Sequence, residues 1–250
     1  MLLDFRANRI VLIASLALAA LLLGLFLMQG GPWQQILLLF TFFGLFITFN
    51  LRRMSLRAMR QLEYRFMVQL DAEHYQSAYL QMLEKGVKYN PRWHLTKYQR
   101  AILGTLLTGD ATTAHQLRQQ QNEKFKGLIE EDPYFLYLNQ VTLTIEAILY
   151  GSLNEMNKAF GKEKEVLKKL NPKFQEQIQQ NPHSFSNVFN SFKETNESKD
   201  FTALESTISE WTPFMRIIAL AYLSRFEETY RASLREEQKI MLNKFTPKPL

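Results

Sequence analysis

The residues able to do covalent or metal chemistry are few in this chain, and their spacing assembles no known site. There is no cysteine, which excludes disulfides, thiolate metal sites and cysteine nucleophiles. The four histidines, His74, His94, His115 and His183, belong to no His-Glu-x-x-His or similar ligand spacing. No Gly-x-x-x-x-Gly-Lys-Ser/Thr, Gly-x-Gly-x-x-Gly or Gly-x-Ser-x-Gly occurs. Gly104 and Gly109 have a five-residue separation, but no lysine follows and the segment is helical in pattern, so a phosphate cradle is not supported. The carboxylates of Glu130-Glu131-Asp132 and Glu227-Glu228 fall at helix ends and solvated faces, where capping accounts for them. Lysines between Lys158 and Lys169 alternate with Glu163 and Glu165, the pattern of an exposed ion-paired face. These readings predict no catalytic residue, no cofactor and no metal, and a protein that is not an enzyme.

The elements that carry these residues begin with two hydrophobic segments. Ile10–Met28 runs nineteen residues without a charge, a length of roughly 28 Å as a helix against a hydrocarbon core of ~30 Å. Trp33–Leu51 follows after Gln29-Gly30-Gly31-Pro32, which is only a turn. The expectation is a transmembrane helical hairpin over residues 1–51, with spans at about 10–28 and 33–51. A cleaved signal peptide fits poorly, because the apolar run continues past any small-residue cleavage site and a second apolar segment follows at once. Small residues at matched depth, Ala17, Ala20, Gly24 and Gly44, are the candidates for hairpin packing. With no charge in either span, the hairpin reads as an anchor or a docking surface rather than an ion path.

Charge placement sets the expected orientation. Six arginines (Arg6, Arg9, Arg52, Arg53, Arg57 and Arg60) against Asp4 leave only +1 of the net +6 for residues 62–250. The positive-inside rule then predicts a two-span protein of the plasma or inner membrane with both termini cytoplasmic. A nearly neutral remainder argues against nucleic acid as a partner. Residues 52–70 predict a basic amphipathic juxtamembrane helix. It has Arg53, Arg57 and Arg60 on one face for the membrane surface and Met59, Leu62, Phe66 and Leu70 on the other.

From residue 71 to 245 the pattern predicts an all-α domain, with 246–250 as a tail. Asn90-Pro91, Gly109-Asp110, Asp132-Pro133, Gly151, Asn171-Pro172, Asn181-Pro182 and Pro213 punctuate it. The helices expected between them span 53–70, 73–88, 92–108, 111–130, 133–150, 153–169, 172–180, 184–194, 199–211 and 213–243. Lys193–Asp200 reads as the most linker-like interior segment. The last helix carries an apolar stripe of Met215, Ile218, Ala219, Tyr222 and Phe226 and reads as a cap with one polar face.

Asn90-Pro91, Asp132-Pro133 and Asn171-Pro172 recur at intervals of 42 and 39 residues, each after a helix pair. Over residues 62–172 the chain resembles tetratricopeptide-type repeats, on Tyr98, Gly109 and Ala114 in one unit and Tyr75 with Ala78 in the one before. It departs at Met156, where a small residue is expected, and in unit length; a generic helical bundle is the alternative. The resemblance implies a groove between stacked helix pairs, with Tyr98, Arg100, Tyr137 and Asn139 as partner-binding candidates. The resulting expectation is a membrane-anchored cytoplasmic scaffold or adaptor that binds a protein or peptide partner and contacts membrane lipid. The alternative is an accessory subunit of a larger membrane complex, docked through the hairpin.

Overall fold

The computed structural model describes residues 13, 14, 17, 18, 20–22, 24, 33–84, 90–181, 184–198, 201, 204, 206, 208 and 211–224. Among them there are helices and connecting turns, and no strand. The helices are α1 (Trp33–Gln69), α2 (Ala72–Glu84), α3 (Pro91–Leu107), α4 (Ala111–Glu131), α5 (Pro133–Tyr150), α6 (Leu153–Leu167), α7 (Pro172–Gln180), α8 (Phe185–Ser198) and α9 (Pro213–Leu223). The all-α class is therefore as expected. The chain forms two compact units, Met1–Tyr64 and Arg65–Leu250.

Asn90-Pro91, Asp132-Pro133 and Asn171-Pro172 each start a helix, while Asp132 also closes α4 and Asn181 closes α7. Asn90, Asp132 and Asn171 each accept a hydrogen bond from a backbone N–H of the first turn, and the following proline takes the first helical position. There its fixed φ suits the helix and its missing N–H costs nothing. Asp110 caps α4 by accepting from the Thr113 N–H, and Ser152 with Glu155 forms a capping box on α6. Gly109, at φ 83°, makes the turn between α3 and α4 that a side chain would resist.

In the first unit, α1 exposes large apolar side chains on several faces, including Leu37, Leu38, Phe40, Phe42, Leu45, Phe46 and Phe49. The expected two-span membrane placement with cytoplasmic termini is corrected here: among the described residues, no helix is long and apolar enough to cross a membrane. The uninterrupted apolar run of α1 is Ile36–Phe49, fourteen residues, or about 21 Å of helix. That falls short of a ~30 Å hydrocarbon core, and Trp33-Gln34-Gln35 and Asn50 with Arg52 and Arg53 close it at either end. Most of the first expected span lies outside the described residues. Among the described residues, a Cβ built at Gly24 or Gly44 would meet nothing within 4 Å, and Ala17 and Ala20 are exposed. No break separates a juxtamembrane helix, because α1 continues unbroken to Gln69. Arg53, Arg57 and Arg60 are exposed along it, while Leu62 and Phe66 are buried.

The second unit is built on neighbour-to-neighbour packing. In chain order α2 packs on α3, α3 on α4, α4 on α5 and α5 on α6, and α3 also meets α5. At Gly104 of α3 the helices close in so far that a Cβ would lie 3.1 Å from the Gln76 backbone and 3.0 Å from the Tyr75 ring. An aromatic core ties the ends together. Phe66 stacks on Tyr75 at 3.9 Å between centroids and tilts against Phe214 at 5.1 Å. Phe192 stacks on Tyr222 at 4.5 Å. Helix α9 packs on α5 and is buried on nine of its eleven residues, while the charged part of the expected last helix lies outside the described residues. Burial of each large side chain of this kind contributes roughly 1.5–3 kcal/mol. The expected linker Lys193–Asp200 is also corrected: α8 runs on to Ser198, with Thr195 buried and its hydroxyl bonded to the Ser191 carbonyl. Residues 225–250, including Phe226 and the expected tail, lie outside the described residues.

Candidate functional site

The four partner-binding candidates lie on two helices that touch, α3 and α5. Arg100 of α3 and Asn139 of α5 are half-buried, and the Asn139 amide oxygen accepts from Gln121 Nε2 at 3.3 Å. The two tyrosines are interior: Tyr98 is 3% exposed and Tyr137 5%. Burial pushes the Tyr137 phenol up, with nearby Glu163 and Tyr134 adding to the effect.

Tyr98 belongs to a basic and aromatic cluster that α3 and α4 build together. The cap on Asn90 and the proline at 91 fix the first turn of α3. Trp93 and Lys97 then share one helical row, and His94 and Tyr98 the next. Across the interface, α4 is kinked at Phe125 (φ −130°, ψ 17°), whose ring lies 5.7 Å from His94 and 5.9 Å from Tyr98. Lys124 donates to the Tyr98 hydroxyl at 2.8 Å, and the hydroxyl meets Gln120 Oε1 at 3.4 Å.

The electrostatics of this cluster are unbalanced. Lys97 is 4% exposed, with its ammonium 5.9 Å from the centre of the Trp93 ring. His94 Nδ1 is buried without a hydrogen-bond partner. Burial pulls the Lys97 ammonium below its ordinary value. Burial likewise lowers His94, and the positive charges of Lys97 and Lys124 lower it further.

A second polar series runs between the later helices. Arg118 of α4, nearly buried, pairs with Glu146 of α5 at 2.5 Å, while its Nε and Nη1 meet no acceptor. The Tyr150 hydroxyl donates to the Leu106 carbonyl, and Gln140 Nε2 to the Ala159 carbonyl at 3.2 Å. Glu163 is 2% exposed, in contrast to the solvated face expected of it. Burial raises its carboxyl to about 7 against a hydrogen bond from Ser186 that pulls the other way. The spacing holds the missed signal: Met156, Ala159, Phe160, Glu163, Val166 and Leu167 form one stripe of α6, so Glu163 keeps step with the apolar residues. Lys97 keeps step with Ala101 and Gly104 in the same way.

Among the described residues no three His, Asp or Glu side chains are grouped to hold a metal ion. No family model, curated protein or solved structure matches this chain.

Proposed function

We propose that the helical unit from Arg65 onward is a protein-interaction module, a scaffold or adaptor that seats a protein or peptide partner along α3 and α5. The observation that carries this reading is the serial packing of α3/α4 and α5/α6 with α3 against α5. In stacked helix pairs of the tetratricopeptide type, the first helices of successive pairs line one continuous side that receives an extended segment or a helix. Arg100 and Asn139 lie on those two helices and keep part of their surface open. Gentle co-purification of the full-length chain should recover a stoichiometric protein partner. Repeated recovery of the chain alone would count against the reading.

A second reading is favoured by α1. Leu38 is 71% exposed, and Phe40 and Leu45 are each 67% exposed. Continuous apolar surface of this kind calls for cover. Apolar helices of other subunits would provide it, making the chain an accessory subunit of a larger assembly. Replacing Ile36–Phe49 by an unrelated apolar helix should then release the chain from that assembly on a native gel. Unchanged co-migration after the swap would rule the reading out.

A further inference from the structure

We propose that α1 docks on an anionic lipid surface, lying along it on the side that carries Phe49, Arg53, Leu56, Arg57, Arg60 and Tyr64. This docking involves neither Arg100 nor Asn139 and goes beyond both readings of function. At 100° per residue these six side chains fall on one side of the helix. All six are exposed, Phe49 at 64% and Tyr64 at 58%. Leu62 and Phe66, on the opposite side, are buried. The same line runs back through exposed Phe42 and Phe46. From Phe42 to Tyr64 it is about 33 Å long.

Charge selects the occupant. From Phe5 to Leu62 there is no aspartate or glutamate, while six arginines are present. Acidic headgroups supply the negative charge that this stretch lacks, and cations held near them are attracted to the surface. Arginine stems can lie among apolar groups while the guanidiniums reach out to the phosphates. The phenylalanine rings would sit at the boundary of headgroups and acyl chains, as the apolar side of an interfacial helix does. Tyr64, with an apolar ring and a polar hydroxyl, suits the same level. Leu56 and Tyr64 alternate with the arginines, so in a helix laid along the surface the rings and guanidiniums share one depth.

Other occupants fit this side of α1 less well. Two parallel copies joined through it would set Arg53, Arg57 and Arg60 against their own counterparts, a like-charge contact. An antiparallel pair meets the same lack of acid, because neither copy contributes a carboxylate between Phe5 and Leu62. A protein groove would have to match three guanidiniums and several aromatic rings in shape and charge. A fluid lipid surface adapts to all of them.

The test is flotation of the intact chain with vesicles of phosphatidylcholine alone, or of equal parts phosphatidylcholine and phosphatidylglycerol. The chain should float with the anionic vesicles and bind the neutral ones at least tenfold more weakly. Joint replacement by Arg53→Gln, Arg57→Gln and Arg60→Gln should weaken binding about a hundredfold, and lysine at all three positions should retain it. Raised salt should release the chain from the anionic vesicles. Because the chain has no cysteine, a single nitroxide can be attached at Phe46→Cys or, on the opposite side, at Thr48→Cys. On anionic vesicles, position 46 should become shielded from a water-soluble nickel relaxant while position 48 stays open to it. The proposal is overturned if the chain binds neutral and anionic vesicles equally, or if the three glutamines leave binding unchanged. Equal shielding at 46 and 48 also overturns it, because a helix laid along a surface keeps one side in water. A chain that floats with neither vesicle, but loses a co-purifying acidic protein when the three glutamines are introduced, would assign this side of α1 to a protein and defeat the lipid surface.

Discussion

Glu163 shows how much a single buried group can impose on the pH behaviour of the whole unit. Its carboxyl is raised to about 7 by burial, above an unfolded value of about 4.3. The folded form therefore binds the extra proton, and stability is greatest below the unfolded value. It declines as pH rises through the window up to about 7, by on the order of 3 kcal/mol. Glu163→Gln should flatten that decline, as read by urea midpoints taken between pH 4 and 8; an unchanged slope would show that Glu163 does not govern it. The Arg118–Glu146 pair makes a different demand. Burial pulls the Arg118 guanidinium down, and Glu146 offsets part of that. Glu146→Ala should cost roughly 3 kcal/mol by leaving the guanidinium unpaired, whereas the double change Arg118→Met with Glu146→Leu should cost much less. Chemical denaturation of both variants would separate these outcomes. Neither group was recognisable from charge pattern alone, because a charged residue in register with an apolar stripe looks the same in sequence as one that flanks it.

At the scale of elements, the sequence was legible wherever capping chemistry is local. The helix starts at Pro91, Ala111, Pro133, Leu153 and Pro172 lie within a residue of their expected places, because Asn90, Asp110, Asp132, Ser152 and Asn171 each satisfy first-turn N–H groups from their own side chains. The Phe125 kink was not legible, since α4 carries no proline and Gly127 lies beyond the kink. The end of α8 was also missed, because a polar, charged segment resembles a linker until Thr195 is seen to be buried. Gly104 belongs to this scale too. Within a helix an alanine would ordinarily be preferred to glycine, but here the Gln76 backbone lies only 3.1 Å from where a Cβ would go. Gly104→Val should therefore destabilise the unit by roughly 2–3 kcal/mol, measured as a lowered urea midpoint; a neutral result would mean that α2 can move aside.

At the scale of the whole molecule, the all-α class and the succession of helix pairs followed from the spacing of proline, glycine and apolar residues. The membrane placement did not survive. It rested on the apolar character of Ile10–Met28 and Trp33–Leu51, and among the described residues no helix is long and apolar enough to cross a membrane. The tyrosines offered for the groove are interior, because aromatic side chains at helical spacing serve the packing of neighbouring helices first. What remains of the expected surface is Arg100 and Asn139, on adjacent first helices. Site-specific photo-crosslinking tests the interaction reading most directly, with the reactive residue placed at 100, at 139, and at exposed position 115 of α4 as control. The account predicts that 100 and 139 capture the same protein and that 115 does not. Capture of unrelated proteins from 100 and 139, or equal capture of one protein from all three positions, would contradict it.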